Sequence, residues 1–204
     1  MVTLRKKTIK IILAIIILAI LSYSGYSYWL TTLYPDIATP KLISGNPNAK
    51  VKIIEFADIQ CPACKVAYPI VEQIKKDYGN NISYQYYHFP LPTIHIYAEK
   101  AAEAAECAND QGMFAEFMDV AFTRSPKLKI SELKQMAIDL HLDTDKFNAC
   151  LSSGRKYKTV QGDVKVGQVK DIQGTPTFFI NNKKLPKWDD VTLRAAIERE
   201  LKQS

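Results

Sequence analysis

Val51 to Asp58 reads V-K-I-I-E-F-A-D, an apolar, β-branched run too short for a stable helix, and predicts a buried strand. C-P-A-C follows. The next stretch, K-V-A-Y-P-I-V-E-Q-I-K-K-D-Y, sets Val66, Ile70, Val71 and Ile74 at helical spacing. Pro62 suits the first turn of that helix, where its missing N–H removes a donor that has no partner anyway. Pro69 lies inside the helix and predicts a kink, and Gly79 predicts its stop. I-S-Y-Q-Y-Y-H-F (Ile82 to Phe89) alternates, is aromatic, and predicts a second strand. Strand, helix and strand in that order imply a parallel βαβ unit.

From His95 to about Leu151 the periodicity turns helical. One segment is the Ala-dense stretch Ile96 to Asn109. Another is Met113 to Phe122, with Met113, Phe114, Phe117, Met118, Ala121 and Phe122 on one stripe. A third runs from about Glu132 to Leu140 with Ser131 as its cap, and a short one holds Phe147, Cys150 and Leu151. Tyr157 to Lys170 is amphipathic, with Val160, Val164 and Gly167 on one side. G-T-P-T-F-F-I (Gly174 to Ile180) then turns into a strand, and Asn181-Asn182 suits the positive φ of a tight hairpin. A short strand from Lys183 to Leu185 and a helix from Val191 to Leu201 close the chain. The expected class is α/β: one mixed central sheet flanked by helices, with an all-helical insertion over it.

The N-terminus is of a different kind. Ile11 to Leu30 are twenty consecutive uncharged positions, enough for a helix to cover a hydrocarbon core of about 30 Å. Arg5, Lys6, Lys7 and Lys10 precede them, and Tyr23, Tyr26, Tyr28 and Trp29 fall at the far end. A positive flank stays cytoplasmic, so residues 31–204 are expected outside the cytoplasm. The rival reading is a signal peptide cut after Ser24, ahead of Gly25. Both readings export the domain. The expected layout is a basic N-terminus (1–10), a transmembrane signal-anchor (11–30), a linker (31–48), a main domain (49–92 and 157–204) and the helical insertion (93–156).

The formal charge of +6 reflects this layout. From residue 31 onward 23 basic residues face 21 acidic ones, so the body is nearly neutral and a nucleic-acid partner has little support. With 47% hydrophobic residues, ten Pro and eight Gly, the chain is neither disordered nor collagen-like.

Chemistry concentrates on four cysteines: Cys61, Cys64, Cys107 and Cys150. C-x-x-C at a strand-to-helix junction can bind metal, act as a staple, or cycle between dithiol and disulfide. Cys61 precedes the helix, so unpaired N–H groups and the positive end of the dipole face its sulfur, lowering the thiol pKa. Zinc would need two more ligands at matching spacing, and Cys107 and Cys150 are isolated in the helical part, so no metal is assigned. Exported thiols tend to pair, which favours a structural disulfide between Cys107 and Cys150 over two buried free thiols.

E-F-A-D-I-Q-C-P-A-C, A-A-E-A-A-E-C-A-N-D-Q-G-M-F and G-T-P-T-F-F-I-N-N together resemble the DsbA-like branch of the thioredoxin superfamily, of the membrane-tethered, BdbD-like type. The resemblance covers about residues 45–203 and implies a thioredoxin fold with a helical insertion. It implies Cys61 as exposed nucleophile and Cys64 as buried resolving thiol. It also implies a cis Thr175-Pro176 bond facing them, with client contacts at Thr175, Pro176, Pro62 and Ala63. Glu55 matches a buried carboxylate that relays protons to the resolving thiol. A solvent-reaching carboxylate is the plain alternative for Glu55, and Asp58 is the fallback for the role.

An ordinary strand-starting proline is the plain alternative for Pro176. His88 and His141 are read as structural; His95, just before the Ala-rich helix, could approach the active site but is assigned no role. The function implied is an enzyme, a protein thiol–disulfide oxidoreductase, oxidising exported clients that carry Cys pairs. It needs no cofactor and is recycled by a DsbB-like or VKOR-like membrane oxidase. The C-P-A-C pair lacks the histidine of strongly oxidising DsbA, which leaves reductase or isomerase roles open. A non-catalytic peptide-binding module with structural disulfides is the reading from another class.

Overall fold

The computed structural model describes residues 12–25 and 43–203. Residues 12–25 form helix α1, whose side chains are exposed throughout. Among the described residues no helix is long and apolar enough to cross a membrane. The basic cluster, residues 11 and 26–30 of the expected anchor and residues 31–42 of the expected linker lie outside the described residues.

The second unit is built on a five-stranded sheet of order β1-β3-β2-β4-β5. Its strands are β1 (Ile43–Gly45), β2 (Val51–Ala57), β3 (Ile82–His88), β4 (Thr177–Ile180) and β5 (Lys183–Lys184). β2 and β3 run parallel, as the βαβ reading requires, and every other pairing is antiparallel. β1 lies in the stretch read as linker. Its three residues were too few to show periodicity, and pairing with β3 makes them a strand. Gly45 ends it at φ 85°, where a Cβ would stand 2.4 Å from the Ile82 carbonyl oxygen.

The helices are α2 (Pro62–Tyr78), α3 (Ala98–Asn109), α4 (Phe114–Arg124), α5 (Ile130–Asp139), α6 (Thr144–Ser153), α7 (Tyr157–Val169) and α8 (Asp190–Lys202). α2 runs from Pro62 to Tyr78 as a single helix with Pro69 inside it, and it stops at Gly79. α3 starts at Ala98 rather than Ile96, with Tyr97 as its cap. Ser131 is not a cap: α5 starts at Ile130, and the Glu132 carboxylate accepts from the Lys129 N–H at 2.7 Å. The Asn181-Asn182 hairpin adopts φ of 47° and 65°.

Strand alternation sorts the core. Val51, Ile53, Ala57, Ile82, Tyr84, Tyr86, Phe178 and Ile180 join Val71, Ile74, Leu193 and Ile197 of α2 and α8 in the larger apolar cluster. Phe56, Tyr87, Phe89 and Phe179 point to the other face, where Ile172 and Val164 close a smaller one. Glu55 has the same strand parity as Ile53 and Ala57, which places a carboxylate within the α2 side of the core.

Candidate active site

β2 ends at Ala57, and residues 58–60 carry the chain into α2. Cys61 is the N-cap of α2, with extended dihedrals (φ −69°, ψ 125°), Pro62 occupies the first turn, and Cys64 lies one turn in. The turn is closed by the Cys61 N–H donating to the Asp58 carbonyl at 3.0 Å and the Lys65 N–H donating to the Cys61 carbonyl at 3.0 Å. β4 enters from the opposite side. Thr177 pairs with Phe56, so the preceding Thr175-Pro176 bond, which is cis, arrives at the end of β2 beside the cysteines. Cys61 Sγ lies 3.5 Å from the Thr175 carbonyl oxygen, to which it donates while protonated.

Cys61 and Cys64 are free thiols. Cys61 retains 7% of its surface and Cys64 none. The expectation of an exposed nucleophile is therefore corrected: Cys61 is largely buried, with the Thr175 carbonyl of the cis-proline loop against its sulfur. The Cys61 thiol is nevertheless lowered from 9.0 to about 5. The largest cause is the Cys64 side chain, which hydrogen-bonds to its sulfur. Burial opposes this, and the Cys64 N–H, the Thr175 hydroxyl and the Ala63 N–H each assist. The amides at the helix end do contribute, as the cap position implies, but the neighbouring thiol contributes more. Burial, then the hydrogen bond to Cys61, pushes Cys64 far above the ordinary thiol range. The two sulfurs thus share their protons unequally, with the anion on Cys61.

Glu55 is 2% exposed. Burial raises its carboxyl to about 7, against the opposing effect of the Tyr84 hydroxyl, which donates a hydrogen bond to it. Its charge is among the influences that raise Cys64. The plain alternative, a carboxylate reaching solvent, is overturned by this burial. Tyr84 itself was missed. It is legible in the register, because Glu55 pairs with Tyr86, and Tyr84 stands two residues away on the same face.

Asp58, the fallback, is held differently. Its carboxylate accepts from the N–H groups of Gln60 (2.7 Å) and Leu91 (2.9 Å) and lies 2.8 Å from His95 Nδ1. This pairing with His95 was also missed, since 37 residues separate the two in sequence. Cys107 and Cys150 form a disulfide between α3 and α6, with Cα atoms 5.9 Å apart. His88 is buried in β3 with Nε2 3.3 Å from a Glu106 carboxylate oxygen, and His141 follows α5 at φ 55°. Among the described residues no group of His, Cys, Asp and Glu is arranged to hold a metal ion.

Cys61, Pro62, Ala63, Cys64, Thr175 and Pro176 therefore converge on one end of the sheet, with Glu55 beneath them. A family model described as Thioredoxin matches residues 38–199. The Na(+)/H(+) antiporter NhaA 3 of Salinispora tropica is 37% identical over 142 residues, covering 70% of this chain; the chain spans only 22% of that protein's length. BdbD from Bacillus subtilis, solved in its oxidised form, superposes with a TM-score of 0.72 at 25% identity, covering 79% of this chain and 93% of that one. Wolbachia pipientis alpha-DsbA1 shares the fold at 22% identity, with a TM-score of 0.72 and coverage of 81% and 92%. With its paired cysteines and cis-proline loop on this sheet, the chain belongs to the thioredoxin family, in its DsbA-like branch.

Proposed function

We propose that this chain is a membrane-anchored, extracytoplasmic thiol–disulfide oxidoreductase that introduces disulfides into exported proteins through Cys61 and Cys64. The observation that carries the reading is the Cys61 thiol held near pKa 5 beside a Cys64 thiol held far above it. In the disulfide form, a client thiolate attacks Cys61 Sγ, the Cys61–Cys64 bond breaks, and its electron pair leaves on Cys64. A second client thiolate then attacks the client sulfur of the mixed disulfide and expels Cys61 as a thiolate. The client loses two electrons and the cysteine pair gains them. A DsbB-like or VKOR-like membrane oxidase would remove them again.

The oxidising direction is supported by the low thiol pKa, because a stabilised Cys61 thiolate favours the reduced protein and makes Cys61 a good leaving group. Glu55, poised near 7, is suited to exchanging a proton with Cys64 as that sulfur cycles. Export is supported by the uncharged stretch from Ile11 to Leu30 behind a basic cluster, and by the Cys107–Cys150 disulfide.

The test uses the full-length chain in detergent micelles. Oxidised protein should restore activity to reduced, unfolded ribonuclease, and Cys61→Ser should abolish this. Equilibration with glutathione fixes direction, since about 30 mV corresponds to about 1.4 kcal/mol for a two-electron couple. A wild-type chain that neither oxidises ribonuclease nor reduces insulin would leave only a non-catalytic binding module.

A further inference from the structure

Asp58 grips the site with its backbone and is itself gripped by its side chain. Its carbonyl accepts from the Cys61 N–H at 3.0 Å, and its N–H donates to Cys64 Sγ at 3.4 Å. The carboxylate, fully buried, accepts from Gln60 N–H, Leu91 N–H and His95 Nδ1. A carboxylate bonded this way only accepts, so Nδ1 of His95 carries the hydrogen. The segment bearing His95 is tied down again two residues on, where the Tyr97 N–H donates to Gln60 Oε1 at 2.8 Å. The 58–60 turn is therefore anchored to the 91–97 loop at three points, and the two peptide groups flanking the Asp58 Cα, one touching each active-site cysteine, hang from that anchor.

We propose that His95, acting through Asp58, is a positioning residue for exchange: it holds the Asp58 N–H on Cys64 Sγ so that the sulfur leaves as a stabilised thiolate. This rests on the exchange reading above and names a group that speeds its first step. When a thiolate attacks Cys61 Sγ, the bond to Cys64 breaks and negative charge develops on Cys64. That sulfur is wholly buried, where an aimed N–H dipole acts with little screening, and a better-stabilised leaving thiolate departs faster. The proton that later quenches it comes from another group, so the imidazole needs no change of protonation for this role. Without the His95 bond, the carboxylate keeps two partners but loses the one from the loop side chain, and the peptide is free to turn from the sulfur.

The experiment measures the second-order rate constant for reduction of the Cys61–Cys64 disulfide by dithiothreitol at pH 7, in full-length protein. His95→Phe should slow reduction about fivefold, the size expected from weakening one hydrogen bond to a developing charge. His95→Asn, whose side-chain N–H can take the place of Nδ1–H, should stay within about twofold of wild type. The acid midpoint of the Cys61 thiolate, followed by its ultraviolet absorbance, should remain near 5 in both, because its largest cause is the Cys64 thiol. An unchanged rate in His95→Phe, equal slowing in both variants, or a Cys61 midpoint that moves with the rate would each overturn the assignment. Where His95→Phe does not fold, Asp58→Asn carries the same expectation of slowing, and an unchanged rate there overturns it as well. A wild-type disulfide that reacts no faster than free cystine would instead remove the exchange reading itself.

Discussion

Cys61 and Glu55 are displaced from their ordinary values in opposite directions, and each displacement has a measurable consequence. Cys61 falls from 9.0 to about 5, so its thiolate absorbance should titrate with a midpoint near pH 5. Cys64→Ala removes the largest cause, and the midpoint should rise by about a unit or more while staying below an unperturbed thiol, because the helix-end amides remain. Because the folded value is depressed, Cys61 stabilises the reduced protein at high pH. That contribution is lost as pH falls through about 5. Glu55 has the opposite sign. Burial raises it from 4.5 to about 7, so the native state favours its protonated form. Stability should be greatest from this group below about pH 4.5 and should decline as pH rises through 7. Glu55→Gln removes the decline. In urea unfolding at pH 8 it should be more stable than wild type by about 3 kcal/mol, with little difference at pH 4. Its mixed disulfides should also turn over more slowly if the carboxyl serves Cys64.

Among the elements, α7 shows how a weak signal becomes a firm contact. Val160, Val164 and Gly167 were legible as one side of an amphipathic stretch. The structure lays that side on the sheet, with Val160 fully buried and Gly167 against the Phe89 ring. A Cβ at position 167 would lie 2.4 Å from Phe89 Cε2 and 3.3 Å from Phe56 Cδ1. Phe89 cannot swing away freely, because it meets Phe56 edge-on in the smaller cluster. Gly167→Ala should therefore lose more to overpacking, about 1–3 kcal/mol, than it gains in helix propensity, about 1 kcal/mol. A lowered urea midpoint with unchanged slope is the expected result. Serine at 131 lost its role for a related reason. Two helix starts were available two residues apart, and the Glu132 side chain reaching back to the Lys129 N–H selects the earlier one.

In the molecule as a whole, the helical layer is joined to itself by the Cys107–Cys150 bond, and the 91–97 loop leading into it is joined to the active-site turn by Asp58 and Gln60. The disulfide closes a loop of 43 residues, which in the chain-entropy view stabilises the fold by about 4 kcal/mol. The double variant Cys107→Ala/Cys150→Ala should unfold at lower urea by that order. Its exchange rate under native conditions should be unchanged, because neither sulfur stands with the Cys61–Cys64 pair.

The order of strands and helices, the C-P-A-C junction and the hairpin at Asn181-Asn182 were fixed locally. Periodicity, a cap position and turn chemistry all act over a few residues and can be read along the chain. The three-residue edge strand β1 was not, because it exists only where β3 offers it hydrogen bonds. Nor could spacing say that Tyr84 would bond Glu55, that Cys64 rather than the helix end would be the main influence on Cys61, or that Asp58 would meet a histidine from a distant loop. Those are encounters between segments 3 to 37 residues apart, brought about by burial in a common core. Desolvation and hydrogen-bond geometry there depend on what surrounds a side chain, which only the folded arrangement supplies.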